Sequence, residues 1–583
     1  MKVLRLLACA LLLAITPAAA QTAALDIDGL WAARMRYGPD VRGPLLIERR
    51  DGRLFAEIAG HRVEAQVTGR DVRFELPNGL GAFRGTFAGR DQGLRGHWIQ
   101  QRMMSSGNAM ASPVQLRRVS ANAWQGEVRP LDDAITMHLM INTDEAGVTR
   151  AYLRNPERNL GAMLQIDRIA RDGDRLSLIG RFRGRGQEQV FAQGVYDSNN
   201  DLIPFHFPQF GVTMNFTRAS PEDERAFFPR GREPAPYAYA QPPALDDGWR
   251  TGALEDAGID RAQISAFVDM LARQQQEGVA TPQIHALLIA RHGRLVLEEY
   301  FHGFHRGAVH DTRSASKSMT AILVGAALRN GAPFTAEGAV VDSVDPALLP
   351  ADVDPRLAAM RIEHLLTMSP GFNCDDNDSD SPGNEDAMQE QRAEPNWWRF
   401  ALAVPMARDP GERAVYCSMN PNLMGAVLSH ETGRWLPDLF AEQVAGPLNV
   451  RRYYLNLTPT SDWYLGGGAQ FELRDFMKMG QLVLDGGVWN GRRVLDRAYV
   501  ARMTAPLVEL QERRYGYYWW QQDMPYRGRH VRVIYAAGNG GQIVMAVPEL
   551  DLVIAFYSGD YGHPAALTAQ RVWVPEYILP AVN

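Results

Sequence analysis

The 583 residues are 46% hydrophobic and 22% charged, with a net charge of −6. This is the composition of soluble globular domains, two to four of them at this length. The acidic balance argues against nucleic acid and against anionic membrane surfaces as partners.

Residues 1–20 read as an export signal. Lys2 and Arg5 form its charged end, residues 6–15 its apolar core, and Ala18-Ala19-Ala20 a small-residue cleavage site. The apolar run is too short to span a bilayer and no later run is longer, so no transmembrane segment is expected. The chain is therefore expected to be exported, periplasmic or secreted. Export leaves Cys374 and Cys417 in an oxidising compartment. They can form one intrachain disulfide or remain as two buried thiols. Residues 21–120 and 121–220 each contain short alternating segments, such as Leu45-Leu46-Ile47-Glu48-Arg49, divided by Asp-Gly and Asn-Gly turns. They predict two small all-β barrels or sandwiches, with a possible internal repeat starting at Trp31 and Trp124. Six prolines across residues 221–248 predict an extended linker. From residue 249 to 583 helical and strand patterns alternate. Residues 259–275 have helical spacing, while residues 286–290 and 295–300 predict a hairpin about His292-Gly293.

After that hairpin comes Ser314-Ala315-Ser316-Lys317, opening an apolar helix that stops at Asn330-Gly331. A hydroxyl at a helix start with an amine three residues on is suited to nucleophilic catalysis. Alone, the pattern is more often a plain helix cap with a solvated lysine. Two later stretches add to it. Tyr416-Cys417-Ser418 precedes a second helix, and Gly538-Asn539-Gly540-Gly541 opens a strand of a hairpin. Glycines there let a substrate or another backbone approach and leave N–H donors free.

These three stretches, in this order, resemble the serine β-lactamase and penicillin-binding-protein superfamily, in its class C-like branch near the family VIII carboxylesterases and 6-aminohexanoate-dimer hydrolase. The resemblance runs from about residue 250 to 583 and includes Gly466-Gly467-Gly468. It implies an α+β fold, a β-lactamase/transpeptidase-like domain with an antiparallel sheet flanked by helices, preceded by the all-β region. It also implies a serine hydrolase of esterase or amidase type. Ser314 would be the nucleophile, Lys317 a base if burial lowers its pKa, and Tyr416 the proton relay. Ser314, Ser418, Gly538, Asn539, Gly540 and Gly541 would form the oxyanion and substrate-binding surface, with the N–H groups of Ser314 and Gly541 as the donors. The substrate implied by the resemblance is a small-molecule ester or amide. Two departures turn the expectation away from β-lactams. Ser418 stands in place of an asparagine, and Gly538 in place of a lysine that holds a substrate carboxylate. A β-lactamase, a D,D-peptidase and a catalytically silent binding protein are the alternatives.

No cofactor or metal is expected. His302, His305 and His310 keep no metal-ligand spacing. The acidic run 375–380 lacks the turn glycine and closing glutamate of a calcium loop, so it reads as a solvated loop. Tyr517-Tyr518-Trp519-Trp520 reads equally as cleft lining or as core.

Overall fold

Alternation of buried and outward residues, as in buried Leu54, Ala56 and Ile58 against outward Arg53, Phe55 and Glu57, makes residues 43–128 a run of eight antiparallel strands. Asp51 and Gly52, at φ 51° and 80°, make the first of the tight turns between them. The last strand, Ala123–Val128, pairs with both Gly43–Arg50 and Ala109–Ser120, so the sheet closes into a barrel around Phe74, Phe83 and Trp98. The computed structural model describes residues 26–89, 93–105 and 107–583. The export signal expected over residues 1–20 lies outside the described residues.

A second eight-stranded sheet surrounds Trp31, Phe205 and Phe216. Its pairing corrects the expected division at residue 120. The strand Gly29–Gly38 pairs with Asp133–Thr143 and with Val212–Arg218, not with the first barrel. Trp31 is fully buried in the second core, and that fixes the register. Residues 43–128 are thus an insertion between the first and second strands of the other module.

Neither module hangs on a free tether. Ala109–Ser120 pairs with Tyr453–Leu457, placing Ala111 opposite Leu455 and Met110 opposite Asn456. That ladder continues into Gln470–Glu472 and Val309–Asp311, just before Ser314. The expected linker opens as a helix, Pro221–Phe227, under a capping box of Ser220 and Asp223. It then runs extended but strapped down. Tyr237 N–H donates to Asp269 at 2.8 Å and Tyr239 O–H to the Val296 carbonyl at 2.8 Å.

From residue 249 onward a nine-stranded sheet forms, antiparallel except at its first pair. Its central strands, Ile284–Arg291, Leu552–Ser558 and Gln542–Val547, are buried on both faces and read as near-continuous apolar runs. On one face Phe556 packs on Trp573 near the C-terminus, and Phe267 of Arg261–Ala272 joins it. On the other, Val544 and Val553 sit against Gly480 of Lys478–Leu484. The helix Lys317–Arg329 is buried all round from Lys317 to Ala327, which its run of small and aliphatic residues permits. Among the described residues no helix is long and apolar enough to cross a membrane.

Candidate active site

Arg313–Ser316 is a 3₁₀ turn running straight into the helix Lys317–Arg329. Two contacts pin its start. Thr312 Oγ1 donates to the Ala469 carbonyl at 2.6 Å, and Arg313 N–H donates to Asp311 Oδ1 at 2.8 Å. Arg313 is held at φ 48°, a left-handed conformation that non-glycine residues adopt only under constraint. The turn brings Ser314 and Lys317 onto one side, and Lys317 Nζ donates to Ser314 Oγ at 2.9 Å. Ser316 and Ser318 are buried and committed elsewhere, to the Arg313 and Tyr518 carbonyls.

Lys317 is 2% exposed and makes two more bonds, to Ser418 Oγ at 2.8 Å and to the Gly466 carbonyl at 2.5 Å. Burial pulls its pKa down, but Tyr416, Glu385 and Asp376 outweigh that, and the net shift is upward. The net direction is thus opposite to the lowering expected from burial alone. Tyr416 joins the group through its ring, whose centroid is 5.1 Å from Lys317 Nζ, and its other side stacks on Trp520 at 5.9 Å. The Tyr517–Trp520 stretch is buried, so it belongs to the core that backs Tyr416.

Ser418 also differs from its expected place on the substrate surface. It is fully buried, and its hydroxyl accepts from Lys317 while donating to Asp376 Oδ2 at 2.6 Å. Its hydroxyl thus bridges Lys317 and Asp376. Asp376 further accepts Ser418 N–H at 2.7 Å and Glu385 N–H at 2.9 Å. Burial, against the pull of Lys317, raises its pKa to about 6. The chain Ser314–Lys317–Ser418–Asp376 thus ends on a carboxylate from the run expected to be a solvated loop. The reason is the disulfide. Cys374 and Cys417 are bonded, with Cα atoms 5.8 Å apart, which ties the Asp376 loop to the Tyr416–Ser418 segment. Replacing both cysteines by alanine is expected to lower stability by about 4 kcal/mol on the loop-entropy account and to reduce kcat. Urea unfolding and steady-state kinetics of the double variant check both.

The glycine-rich third stretch closes the other side. Gly538 ends the strand Arg529–Gly538, and Gly540 and Gly541, at φ 93° and 90°, make the turn into Gln542–Val547. Among the four, Asn539 lines the cavity that holds Ser314. Gly541 N–H makes a long 3.3 Å bond to the Gly538 carbonyl, while Ser314 N–H donates to no described residue. Gly467 backs the Ser314 turn from the opposite side, its Cβ position 3.7 Å from Ser314 N. His302 and His310 lie in the buried core, His310 Nε2 2.8 Å from His285 Nδ1, while His305 is exposed.

The cavity has a volume of about 420 Å³. Its walls come from three parts of the chain. Ser314, Gly467, Asn539 and Tyr561 are from the sheet domain, Met110 from the first barrel, and Arg158 from the second.

A family model described as Beta-lactamase matches residues 264–573, more than half of the chain. The chain belongs to the Beta-lactamase family. The match contains Ser314, Lys317, Tyr416, Ser418 and the glycine turn at 538–541, and leaves both β-modules outside. The 6-aminohexanoate-dimer hydrolase of Paenarthrobacter ureafaciens is 24% identical over 237 residues, 38% of this chain and 57% of that protein. The chain thus spans just over half the length of this relative. Among solved structures, a family VIII carboxylesterase aligns at 18% identity over 52% of this chain and 93% of its own, with a TM-score of 0.40. The penicillin binding protein from Bacillus halodurans aligns at 16% identity over 49% and 94%, with a TM-score of 0.39.

Asp376 escaped the sequence reading because nothing local marks it. Its one signal is its position two residues after Cys374, which becomes informative only once Cys374 is paired with the cysteine between Tyr416 and Ser418.

Proposed function

We propose that this chain is an exported serine hydrolase that cleaves a small-molecule ester or amide through an acyl-Ser314 intermediate. The observation that carries this reading is Lys317 Nζ at 2.9 Å from Ser314 Oγ, on a cavity of about 420 Å³, a volume suited to a small organic ligand. Membership of the Beta-lactamase family and a relative named as a hydrolase support it. The bonded Cys374–Cys417 pair supports an oxidising compartment.

In this reading Lys317 begins as an ammonium, so it does not take the first proton. Tyr416 lies beside that charge, and its oxygen accepts the proton of Ser314 as the hydroxyl attacks the carbonyl carbon. Ser314 N–H and Gly541 N–H hold the developing oxyanion, the latter by exchanging its long bond to Gly538. Tyr416 then protonates the leaving alcohol or amine, and water attacks the acyl-enzyme along the same path in reverse. A p-nitrophenyl ester series assayed on wild type and Ser314→Ala tests the proposal. Turnover confined to wild type is expected, and equal turnover in both rules it out.

Asp376 gives a pH dependence. As a carboxylate it accepts from Ser418 and helps hold Lys317, and protonation removes that acceptor. The group titrates at about 6, so kcat/KM is expected to rise through that pH and level above it. In Asp376→Asn the activity is expected to be lower and this acid limb to be absent. A pH–rate profile of the two proteins over pH 4.5–8 decides it.

A further inference from the structure

The second β-module contributes a cation to the cavity, on a turn built to hold it still. Asn155 and Asn159, on either side of Arg158, are 0% and 1% exposed. Asn155 Nδ2 donates to the Thr136 carbonyl at 2.7 Å, and Asn155 Oδ1 accepts Arg158 N–H at 2.8 Å. Asn159 Nδ2 reaches across to the sheet domain and donates to the Tyr561 carbonyl at 3.1 Å. The turn is thus fixed both to its own module and to the wall of the Ser314 cavity.

The Arg158 guanidinium lines that cavity, half-buried, and makes no hydrogen bond or ion pair among the described residues. The other charged groups there have partners of their own or face solvent. Arg313 Nε lies 3.1 Å from Asp311 and its guanidinium stacks on Tyr561 at 4.8 Å. Glu157 accepts Thr136 N–H at 3.2 Å and Asn155 Nδ2 at 2.6 Å. Glu385 accepts Tyr464 O–H at 2.6 Å, and Asp132 pairs with Arg42 at 2.5 Å. Asp386 is exposed. Burial and the neighbouring Arg313 push the pKa of Arg158 down, against the opposing pull of Asp311, Tyr561 and Glu157. A planar guanidinium in this state is matched best by a carboxylate, which it can bind through two parallel N–H···O bonds.

We infer that Arg158 anchors a carboxylate carried by the substrate, so that the preferred substrate is an anionic ester or amide and the second β-module acts as its specificity wall. This rests on the Ser314 cavity being the substrate site. Glutarate, titrated calorimetrically into the full chain, probes the anion site without chemistry. It is expected to bind wild type and Ser314→Ala alike, Arg158→Gln at least tenfold more weakly, and Arg158→Lys at an intermediate level, a factor typical of a hydrogen-bonded ion pair. In parallel, the ratio of kcat/KM for the p-nitrophenyl monoester of glutarate over that for p-nitrophenyl butyrate is expected to fall at least tenfold in Arg158→Gln. Because it is a ratio within one protein, partial misfolding does not mimic this fall. Glutarate binding that is absent in wild type or unaltered in Arg158→Gln, or an unchanged ratio, overturns the inference. If glutarate binds as expected but neither ester shows Ser314-dependent turnover, the hydrolase reading fails and the anion site stands.

Discussion

Lys317→Ala is expected to lose roughly 10²–10⁴ in kcat/KM, the scale of disabling the acid–base group it supports, Tyr416, and to lower stability by about 3 kcal/mol. Both effects follow from the three bonds at its amine. One orients Ser314 Oγ, one joins Ser418 and one caps the Gly466 carbonyl. Removing the amine leaves the Asp376 carboxylate without the cation that holds its pKa down, so Asp376 is expected to titrate higher than about 6. Ester kinetics and urea unfolding of the one variant measure both losses. Activity within tenfold of wild type would show that the amine is a structural plug and not part of the chemistry.

Gly538→Lys, the change that would recreate the lysine whose absence turned the sequence reading away from β-lactams, is expected to abolish ester turnover without gaining β-lactam turnover. The strand Arg529–Gly538 runs directly against the Ser314 turn. A Cβ at position 538 would lie 2.9 Å from Ala315 N, 3.1 Å from Arg313 Cβ, and closer still to the Thr312 carbonyl. All belong to the rigid turn that places Ser314, so the turn must shift, and a shift of about 1 Å at a reacting group can cost roughly 10²-fold in rate. Gly538→Ala is expected to suffer in the same direction, because the first carbon of the side chain already collides. Ester kinetics, nitrocefin turnover and thermal unfolding of both variants distinguish a displaced nucleophile from a general loss of fold. The absent lysine is thus a packing requirement of this chain and not a gap that a cation could simply refill.

What could be read from the sequence was what is local or written in order. Ser314 and Lys317 are three residues apart on a helix start, so their contact follows from backbone geometry alone. The alternating strands and the mixed helix–sheet pattern after residue 249 are equally local signals. The features that escaped are those made by distant pairings. Gly29–Gly38 reads as the start of the first module because it precedes it, yet its partners are residues 133–143 and 212–218. Asp376 belongs to a polar run that looks solvated, and only the link from Cys374 to Cys417 draws it beneath Ser418. The sign of the Lys317 shift was lost for the same reason. Burial predicts a lowered pKa, but the acids that reverse it, Asp376 and Glu385, lie about 60 and 70 residues away in the chain. The three-walled cavity, with Arg158 and Met110 from outside the family domain, arises where the first barrel shares a β-ladder with Tyr453–Leu457 and Asn159 bonds to Tyr561.

The central claim is that Ser314 is the acylated nucleophile. Intact-mass analysis after reaction with a fluorophosphonate tests it most directly, on wild type and on Ser314→Ala, Ser316→Ala and Ser318→Ala. One adduct per chain is expected in wild type and in the Ser316 and Ser318 variants, mapping to Ser314 on digestion, and none in Ser314→Ala. An adduct that persists in Ser314→Ala, or that maps to any other residue in wild type, would contradict it.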